Sequence, residues 1–390
     1  MLAKLHNTPL PYAWGSTEAL AQWQGKPAPG GPQAELWLGT HSASEAWVEH
    51  QSTHEHLALS AWLAQNDHEG QLPFLVKLLA AGGPLSIQVH PSRSQAEEGF
   101  AREDALGIHV SDPTRTYRDT SDKPEIIVAW SDTFEALAGF QSLTEMVRNC
   151  TEIDDFLGDT RFTSGFRAAL DEGIGAAISF LLSGNDSVCD LAVAITTKFT
   201  RSSPSQEGNE TTGSLSAVWN QVVDHFPNDP GIVMASFMNH LRLRQGEALF
   251  IPSGVVHAYL QGFGLEVMAP SDNVVRGGLT PKNIDRQELD AIALKESSVE
   301  LMCRPELMSP TMTGFRPEGV PFDVLNIHLD NESVALEDLG VAVIVVLSGT
   351  VSVKEDAVTP FLREGSAYIY ISGGTLTLAG EADIYVVRAR

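Results

Sequence analysis

Residues of the types that bind metals occur in three short segments of this chain. Gln88 and His90 are two positions apart in an apolar run, and Lys123 and Glu125 repeat that spacing. Residues two apart on a β-strand point to the same face, so each pair would project together. His257 follows an apolar strand and a Pro-x-Gly bend, which would let the next strand re-enter a barrel with this imidazole pointing inward. Each segment alone also fits an ordinary half-buried strand or a solvated ion pair, so the signal lies in their combination.

The charge of the chain limits what such a site could bind. With 50 acidic and 25 basic residues, the formal net charge is -25. A chain this acidic repels nucleic acid and anionic membranes, so we expect neither as a partner. An anionic small molecule would need local cations, and basic residues do occur beside the metal-binding segments: Lys77, Lys123, Arg276 and Lys282.

Cysteine use and hydropathy indicate a reducing, cytoplasmic environment. Cys150, Cys189 and Cys303 are far apart and form no CxxC pair, which predicts unpaired, reduced thiols. The N-terminal segment has no apolar stretch long enough for a signal peptide. The most apolar run, at 339–347, is far shorter than the roughly 20 residues of a membrane-spanning helix. We therefore expect a cytoplasmic protein without a membrane anchor.

The elements that must position these residues change in character along the chain. Up to about residue 140, short β-like runs alternate with Gly and Pro, and Ser92 could cap one helix. Apolar residues then recur at helical spacing from about 142 to 225, interrupted by a polar loop at 202–213. From about residue 231 the β-like pattern returns, and many short strands with Gly turns follow to the end of the chain. This pattern is typical of a jelly roll or barrel, so we expect a mainly β fold with an α-helical insert.

Seven stretches along the chain match one known family in order and spacing. They are YAWGS at 12–16, ELWLG at 35–39, FLVKLL at 74–79, SIQVHP at 86–91, DKPEII at 122–127, FIPSGVVHAY at 250–259 and VRGGLTPK at 275–282. Together they resemble type I mannose-6-phosphate isomerase, a family of cupin-type metalloenzymes. The resemblance covers roughly residues 1–140 and 230–300. The rest of the chain matches only in its helix-like or strand-like residue pattern and in the placement of these segments.

The resemblance implies a fold and an activity. The expected architecture is a cupin or jelly-roll catalytic barrel, a helical domain inserted into it, and a second jelly-roll barrel at the C-terminus. The expected boundaries are 1–140 and 229–305 for the two parts of the catalytic domain, 141–228 for the helical insert and 306–390 for the C-terminal domain. The expected reaction interconverts mannose 6-phosphate and fructose 6-phosphate through metal-assisted proton transfer in a cis-enediol.

The resemblance also implies which residues form the site. Four of them would bind one Zn²⁺ per chain: Gln88, His90, Glu125 and His257. Two imidazoles, a carboxylate and an amide oxygen form a ligand set without thiolate, which suits Zn²⁺ with room for water or a substrate oxygen. The residues expected to be catalytic are Arg276, Lys123 and Asp272, and those expected to bind substrate are Lys77, Ser86, Glu266 and Lys282.

The chemistry of the reaction assigns roles to these residues and leaves one role open. Arg276 carries a permanent charge and can clamp two oxygens, so it fits stabilisation of the enediolate. Lys77 matches a family lysine near the substrate phosphate. Either Asp272 or Lys123 could be the proton-transferring base. The chain departs from the family at 40–42, where Thr-His-Ser replaces a small residue followed by His-Pro, which affects the pocket wall and not the metal ligands.

Two other functions share the predicted barrel. A non-heme iron cupin oxygenase would present two His and one carboxylate, with open positions for O₂. The additional Gln88 and the neighbouring cations favour a sugar phosphate instead. A non-catalytic sugar-binding cupin would lose a ligand or the arginine, and this chain has kept them all. We therefore expect a monomeric isomerase whose partner is a small sugar phosphate.

Overall fold

The described part of the chain contains strands in both halves and helices mainly in the middle. The computed structural model describes residues 1–49, 56–66, 68–201, 214–297, 300–354 and 361–390, so the polar loop predicted at 202–213 lies outside it. The strands are β1 (Leu2–His6), β2 (Glu35–Leu38), β3 (Trp47–Glu49), β4 (His56–Ala58), β5 (Leu75–Ala81), β6 (Ile87–Val89), β7 (Glu125–Ala129), β8 (Thr133–Phe140), β9 (Met238–Arg244), β10 (Ala248–Ile251), β11 (His257–Met268), β12 (Val275–Gly278), β13 (Met302–Cys303), β14 (Glu306–Ser309), β15 (Met312–Phe315), β16 (Phe322–Leu336), β17 (Gly340–Lys354), β18 (Phe361–Arg363), β19 (Ser366–Ser372) and β20 (Leu376–Ala389). The helices are α1 (Ala19–Trp23), α2 (Leu59–Gln65), α3 (Arg93–Ala105), α4 (Leu143–Leu157), α5 (Arg161–Glu172), α6 (Ile174–Ser183), α7 (Asp186–Arg201), α8 (Ser214–Val222), α9 (Gly231–Ser236) and α10 (Arg286–Ile292). The prediction of a mainly β fold with a helical insert is confirmed.

One ten-stranded sheet brings the predicted site segments together. Its hub is β11, which pairs antiparallel with β5, β6, β7 and β8. This register places His257 opposite Gln88 of β6, and Glu266 opposite Lys77 of β5. Strands from both sides of the helical region therefore complete one β-structure around the site, as the sequence predicted.

Strands β5 and β7 of this sheet each carry a charged residue at an enclosed position. β5 and β7 are buried along their whole length, because both of their faces are covered. Buried strands read as continuous apolar runs, so Lys77 and Glu125 interrupt an otherwise hydrophobic pattern. A buried charge is costly unless it is paired or binds an ion. Lys77 and Glu125 therefore mark places where the barrel interior must supply a charged partner or an ion.

Helices α4 to α9 follow β8 and pack against this sheet. α4 begins with a capping box between Ser142 and Glu145, and its C-terminal cap is Gly158, whose φ is 73°. The helix predicted after Ser92 is α3, and it also starts with a capping box. The buried faces of α4 to α9 share one apolar core with Phe140 of β8. In the described residues no single helix is long and apolar enough to span a membrane; only α6 and α7 together pass on length and composition, across a 74° bend.

The second ten-stranded sheet joins the two ends of the chain. Its main path runs β14-β15-β16-β20-β17-β19-β1-β3-β4, with β18 paired to β17. Leu5 of β1 and Val48 of β3 lie in one apolar core with Val343 of β17, and the same core includes Val76 of β5. Strands from the first fifty residues thus extend the C-terminal sheet, which the sequence reading did not anticipate. The domain boundaries themselves stay a prediction.

Candidate metal centre and active site

Three of the four predicted metal ligands converge at one buried point. Ligand atoms of His90, Glu125 and His257 all lie within 4.8 Å of one another. Nε2 of His90 is 3.3 Å from Oε2 of Glu125, and Nε2 of His257 is 3.1 Å from Oε1 of the same carboxylate. Since residues 90, 125 and 257 are far apart in sequence, only the pairing of β6, β7 and β11 brings these atoms together.

Backbone carbonyls fix the orientation of both imidazole rings. Nδ1 of His90 donates to the carbonyl oxygen of Asn273 at 2.8 Å, and Nδ1 of His257 donates to that of Val255 at 2.9 Å. A carbonyl only accepts, so the proton stays on Nδ1 and Nε2 of each ring presents a lone pair. Within the described part of the chain, the buried Nε2 of His257 has no hydrogen-bond partner. This orphaned nitrogen, aimed at a carboxylate beside a second imidazole, fits a divalent cation.

Electrostatics keep the ligands in the protonation states that a metal requires. Burial, and next the ammonium of Lys123, lower the pKa of His90 to about 4, so the ring is neutral at pH 7. Burial alone would raise the pKa of Glu125, but Lys123 and then His257 hold it well below its usual range. The Tyr259 hydroxyl also donates to Oε1 of Glu125 at 3.0 Å. A neutral imidazole and an ionised carboxylate are metal-binding forms.

Lys123 and Gln88 border this cluster in different ways. Nζ of Lys123 is 3.2 Å from Nε2 of His90 and 3.2 Å from Oε2 of Glu125, so the lysine is engaged with the ligands themselves. Gln88 is half-buried on β6, opposite His257 on one side and Arg276 of β12 on the other. Residues opposite each other in antiparallel strands share a face, so Gln88 lies on the same face as both. Its role as a fourth ligand stays a prediction.

A second buried cluster contains Lys77 between two carboxylates. Its Nζ is 3.0 Å from Oε2 of Glu266 and 3.8 Å from Oε1 of Glu35, and lies 4.8 Å from the ring centre of Trp37. Burial lowers and the two carboxylates raise the pKa of Lys77, with a net rise. Burial raises the pKa of Glu266, although Lys77 opposes this shift. Lys77 therefore keeps its positive charge, which the two neighbouring carboxylates balance. Glu266 is a carboxylate with enhanced basicity.

Glu35 and Trp37 were not predicted as site residues. The indole Nε1 of Trp37 donates to Oε2 of Glu35 at 2.7 Å, which fixes the carboxylate that faces Lys77. A signal was present, because the two residues are two apart, the same spacing as Gln88 and His90 at the end of β6. On β2, however, every residue is buried, and the alternation that would have indicated an inward face is absent.

The remaining predicted residues lie around the mouth of the site. Asp272 is 47% exposed in its side chain, and its carboxylate is 3.4 Å from Nε2 of His41. The hydrogen bond from His41 lowers the pKa of Asp272, against the effect of burial. Ser86 is half-buried just before β6, and no described residue hydrogen-bonds to its hydroxyl.

Two of the predicted residues are cations that lie at this mouth of the site. Arg276 is half-buried and Lys282 is exposed, and no described acidic side chain lies within ion-pair distance of either. Burial, and after it the charge of Arg118, lower the pKa of Arg276. The charges of Arg276 and Arg118 in turn contribute to the lowered pKa of Lys282. Mutual repulsion of this kind in a chain of net charge -25 indicates a place built to receive an anion.

The fold and the site define a metal-binding protein of the cupin type, with a buried acid–base pair beside the metal centre and cations at its mouth. Residues 2–143 match the family model for the catalytic domain of type I phosphomannose isomerase. The mannose-6-phosphate isomerase of Escherichia coli (strain K12) is 32% identical over 400 residues, which cover 97% of this chain and 97% of that protein. The Homo sapiens mannose-6-phosphate isomerase is 32% identical over 306 residues, covering 70% of this chain and 68% of that one.

A solved structure of zinc-bound mannose 6-phosphate isomerase has the same fold. It superposes with a TM-score of 0.85 at 29% identity, over 100% of this chain and 99% of the other. The chain belongs to the type I mannose-6-phosphate isomerase family.

Proposed function

We propose that this chain interconverts mannose 6-phosphate and fructose 6-phosphate. The observation that carries the proposal is the buried His90–Glu125–His257 cluster beside the buried Lys77–Glu266 pair. Isomerisation between an aldose and a ketose moves a proton between C2 and C1, so it needs a base and positive charge near the developing enediolate. Family membership supports the choice of sugar phosphate.

The metal that we propose is one zinc ion per chain, held by Gln88, His90, Glu125 and His257. The orphaned Nε2 of His257, the unprotonated Nε2 of His90 and the ionised carboxylate of Glu125 support three of these ligands. The register opposite His257 supports Gln88. Bound zinc would supply a Lewis acid that polarises and orients the sugar oxygens. The zinc-bound relative supports zinc over other divalent ions.

For the proton transfer we propose Glu266, which the sequence placed among the substrate-binding residues. Glu266 takes the proton from C2 of the aldose while the aldehyde oxygen gains one from solvent, which gives the cis-enediol. The proton on Glu266 then goes to C1 as the hydroxyl at C2 releases its own to solvent. Of the two bases left open by the sequence, Asp272 is half-exposed with a lowered pKa, and Lys123 is engaged with two metal ligands. A buried carboxylate with a raised pKa is the better base near neutral pH.

The cations divide between the two ends of the substrate. Arg276 faces the same side of the sheet as Gln88, which supports its expected role at the reacting edge. Lys282 lies further out, is exposed and repels Arg276, which supports a contact with the phosphate. Lys77 is already balanced by Glu266 and Glu35, so we propose that it holds the base rather than the phosphate.

The other expectations from the sequence remain proposals. We propose a catalytic unit of residues 1–140 and 229–305, supported by the pairing of β5, β6 and β7 with β11, a helical insert at 141–228 and a C-terminal unit at 306–390. A cytoplasmic monomer stays the prediction; the three cysteines are free thiols in the structure, which agrees with a reducing compartment.

A coupled assay with mannose 6-phosphate, before and after chelation, tests the proposed function. We expect formation of fructose 6-phosphate that is lost on chelation and restored by zinc. No turnover in a zinc-loaded, folded sample would refute the isomerase and leave a sugar-binding protein. Iron in the purified protein together with O₂ consumption would instead indicate an oxygenase.

A further inference from the structure

A short loop before Lys123 is bonded tightly to the segment that precedes β12. The side chain of Asn273, which is fully buried, accepts hydrogen bonds from the backbone amides of Arg118 at 2.8 Å and Asp119 at 3.3 Å. Its amide group donates to the carbonyl oxygens of Asp119 and Ser121, each at 2.8 Å. The loop 118–121 thus has a fixed position.

The same network ties the loop to the catalytic site. The Asp119 carboxylate accepts from the hydroxyl of Ser271 at 2.9 Å and from the backbone amide of Asp272 at 2.8 Å. The carbonyl oxygen of Asn273 accepts from the metal-site ring of His90 at 2.8 Å. One buried asparagine therefore sets the distance between the metal centre and the backbone of residue 118.

This anchoring places an additional cation at the mouth of the site. Arg118 is exposed, and within the described ranges no acidic side chain lies at ion-pair distance from it. The hydrogen bond from its backbone amide to Asn273 holds residue 118 next to Asp272 and three positions from Arg276 in the neighbouring segment, and its charge contributes to the lowered pKa values of Asp272, Arg276 and Lys282. Asp272 is the one acid of that group, and its carboxylate already contacts His41. Three cations that repel one another, held by a rigid backbone, form a geometry that an anion would relieve.

We propose that Arg118 binds the phosphate group of the substrate together with Lys282, and so determines selectivity for phosphorylated over free sugar. This inference rests on the proposed function, since it identifies a further residue of the same site. A guanidinium presents two parallel N–H donors to phosphate oxygens, which an exposed lysine cannot do. The phosphate is present in the ground state and in the transition state alike, so Arg118 should act on KM more than on kcat.

The test compares Arg118→Ala with the zinc-loaded wild type. Loss of a charged hydrogen bond to the phosphate should raise KM for mannose 6-phosphate about 10- to 100-fold, with kcat changed less than about threefold. The inhibition constant of inorganic phosphate should rise by a similar factor. Arg118→Lys should restore part of the loss, because it keeps the charge and loses the fork.

A matched control is Arg93→Ala, which removes an exposed arginine whose ion pair among the described residues is with Glu97 on α3. If Arg118→Ala and Arg93→Ala have the same KM and the same inhibition by phosphate, the proposal is overturned. Binding of inorganic phosphate can be measured by calorimetry without turnover. An inactive wild type that loses phosphate binding on Arg118→Ala would refute the isomerase function while supporting the phosphate site.

Discussion

Replacing Glu266 by glutamine is the sharpest test of its proposed role as the catalytic base. Glutamine has nearly the same shape as glutamate, so the position on β11 opposite Lys77 is preserved. The change removes a basic oxygen and the partner that lies 3.0 Å from the Lys77 ammonium. It leaves the His90–Glu125–His257 cluster untouched, because Glu266 does not belong to it. Proton transfer and metal binding can therefore be separated.

The expected loss follows from the role of a general base. Such a group contributes roughly 10²–10⁴-fold to the rate, which corresponds to about 3–5 kcal/mol of barrier at 1.36 kcal/mol per tenfold. The loss should fall on kcat, with KM changed little. Stability should also fall, because removal of one partner from a buried ion pair costs about 3–5 kcal/mol. Glu35 still lies 3.8 Å from Lys77 and should limit that cost.

The assay is steady-state isomerisation in both directions, with exchange of the C2 hydrogen of mannose 6-phosphate in D₂O as a direct measure of proton removal. Zinc content and thermal unfolding are recorded for the same samples. Asp272→Asn is the matched control, since it removes the charge of the other carboxylate considered as the base, which lies at the mouth of the site. A folded, zinc-containing Glu266→Gln enzyme with normal exchange, alongside an inactive Asp272→Asn enzyme, would refute the argument from burial and basicity and return the base to Asp272.

The metal centre, the cations and the pH profile give three further tests. Chelation or His257→Ala should remove zinc and isomerase activity together, as judged by metal analysis and turnover, and full activity without metal would contradict the assignment. Arg276→Ala should lower kcat by roughly 10²–10³-fold with a smaller rise in KM, whereas Lys282→Ala should mainly raise KM; kinetics with the two patterns exchanged would reverse the roles. Because burial raises the pKa of Glu266 above 4.5, and a base acts only when deprotonated, kcat/KM should rise with pH through a pKa above that value. A pH profile in which Glu266→Gln keeps the same acidic limb would assign it to another group.

The sequence alone was sufficient for features that depend on neighbouring residues. The spacing of two between Gln88 and His90, and between Lys123 and Glu125, predicts a shared face because strand geometry repeats every two residues. The start of α3 at Ser92 could be predicted because a capping residue acts within one turn. Net charge and cysteine use likewise needed no structure. The order and spacing of the seven motifs then indicated the family.

The tertiary structure decided every feature that depends on strand pairing across the chain. Whether Glu266 meets Lys77, and whether Trp37 and Glu35 complete that cluster, is set by the register of β2, β5 and β11. A shift of that register by one residue would turn these side chains to the opposite face. The position of Arg118 likewise depends on hydrogen bonds to a residue about 150 positions later. Such contacts arise from the packing of the whole barrel, so local sequence patterns contain the residues of the site but not their partners.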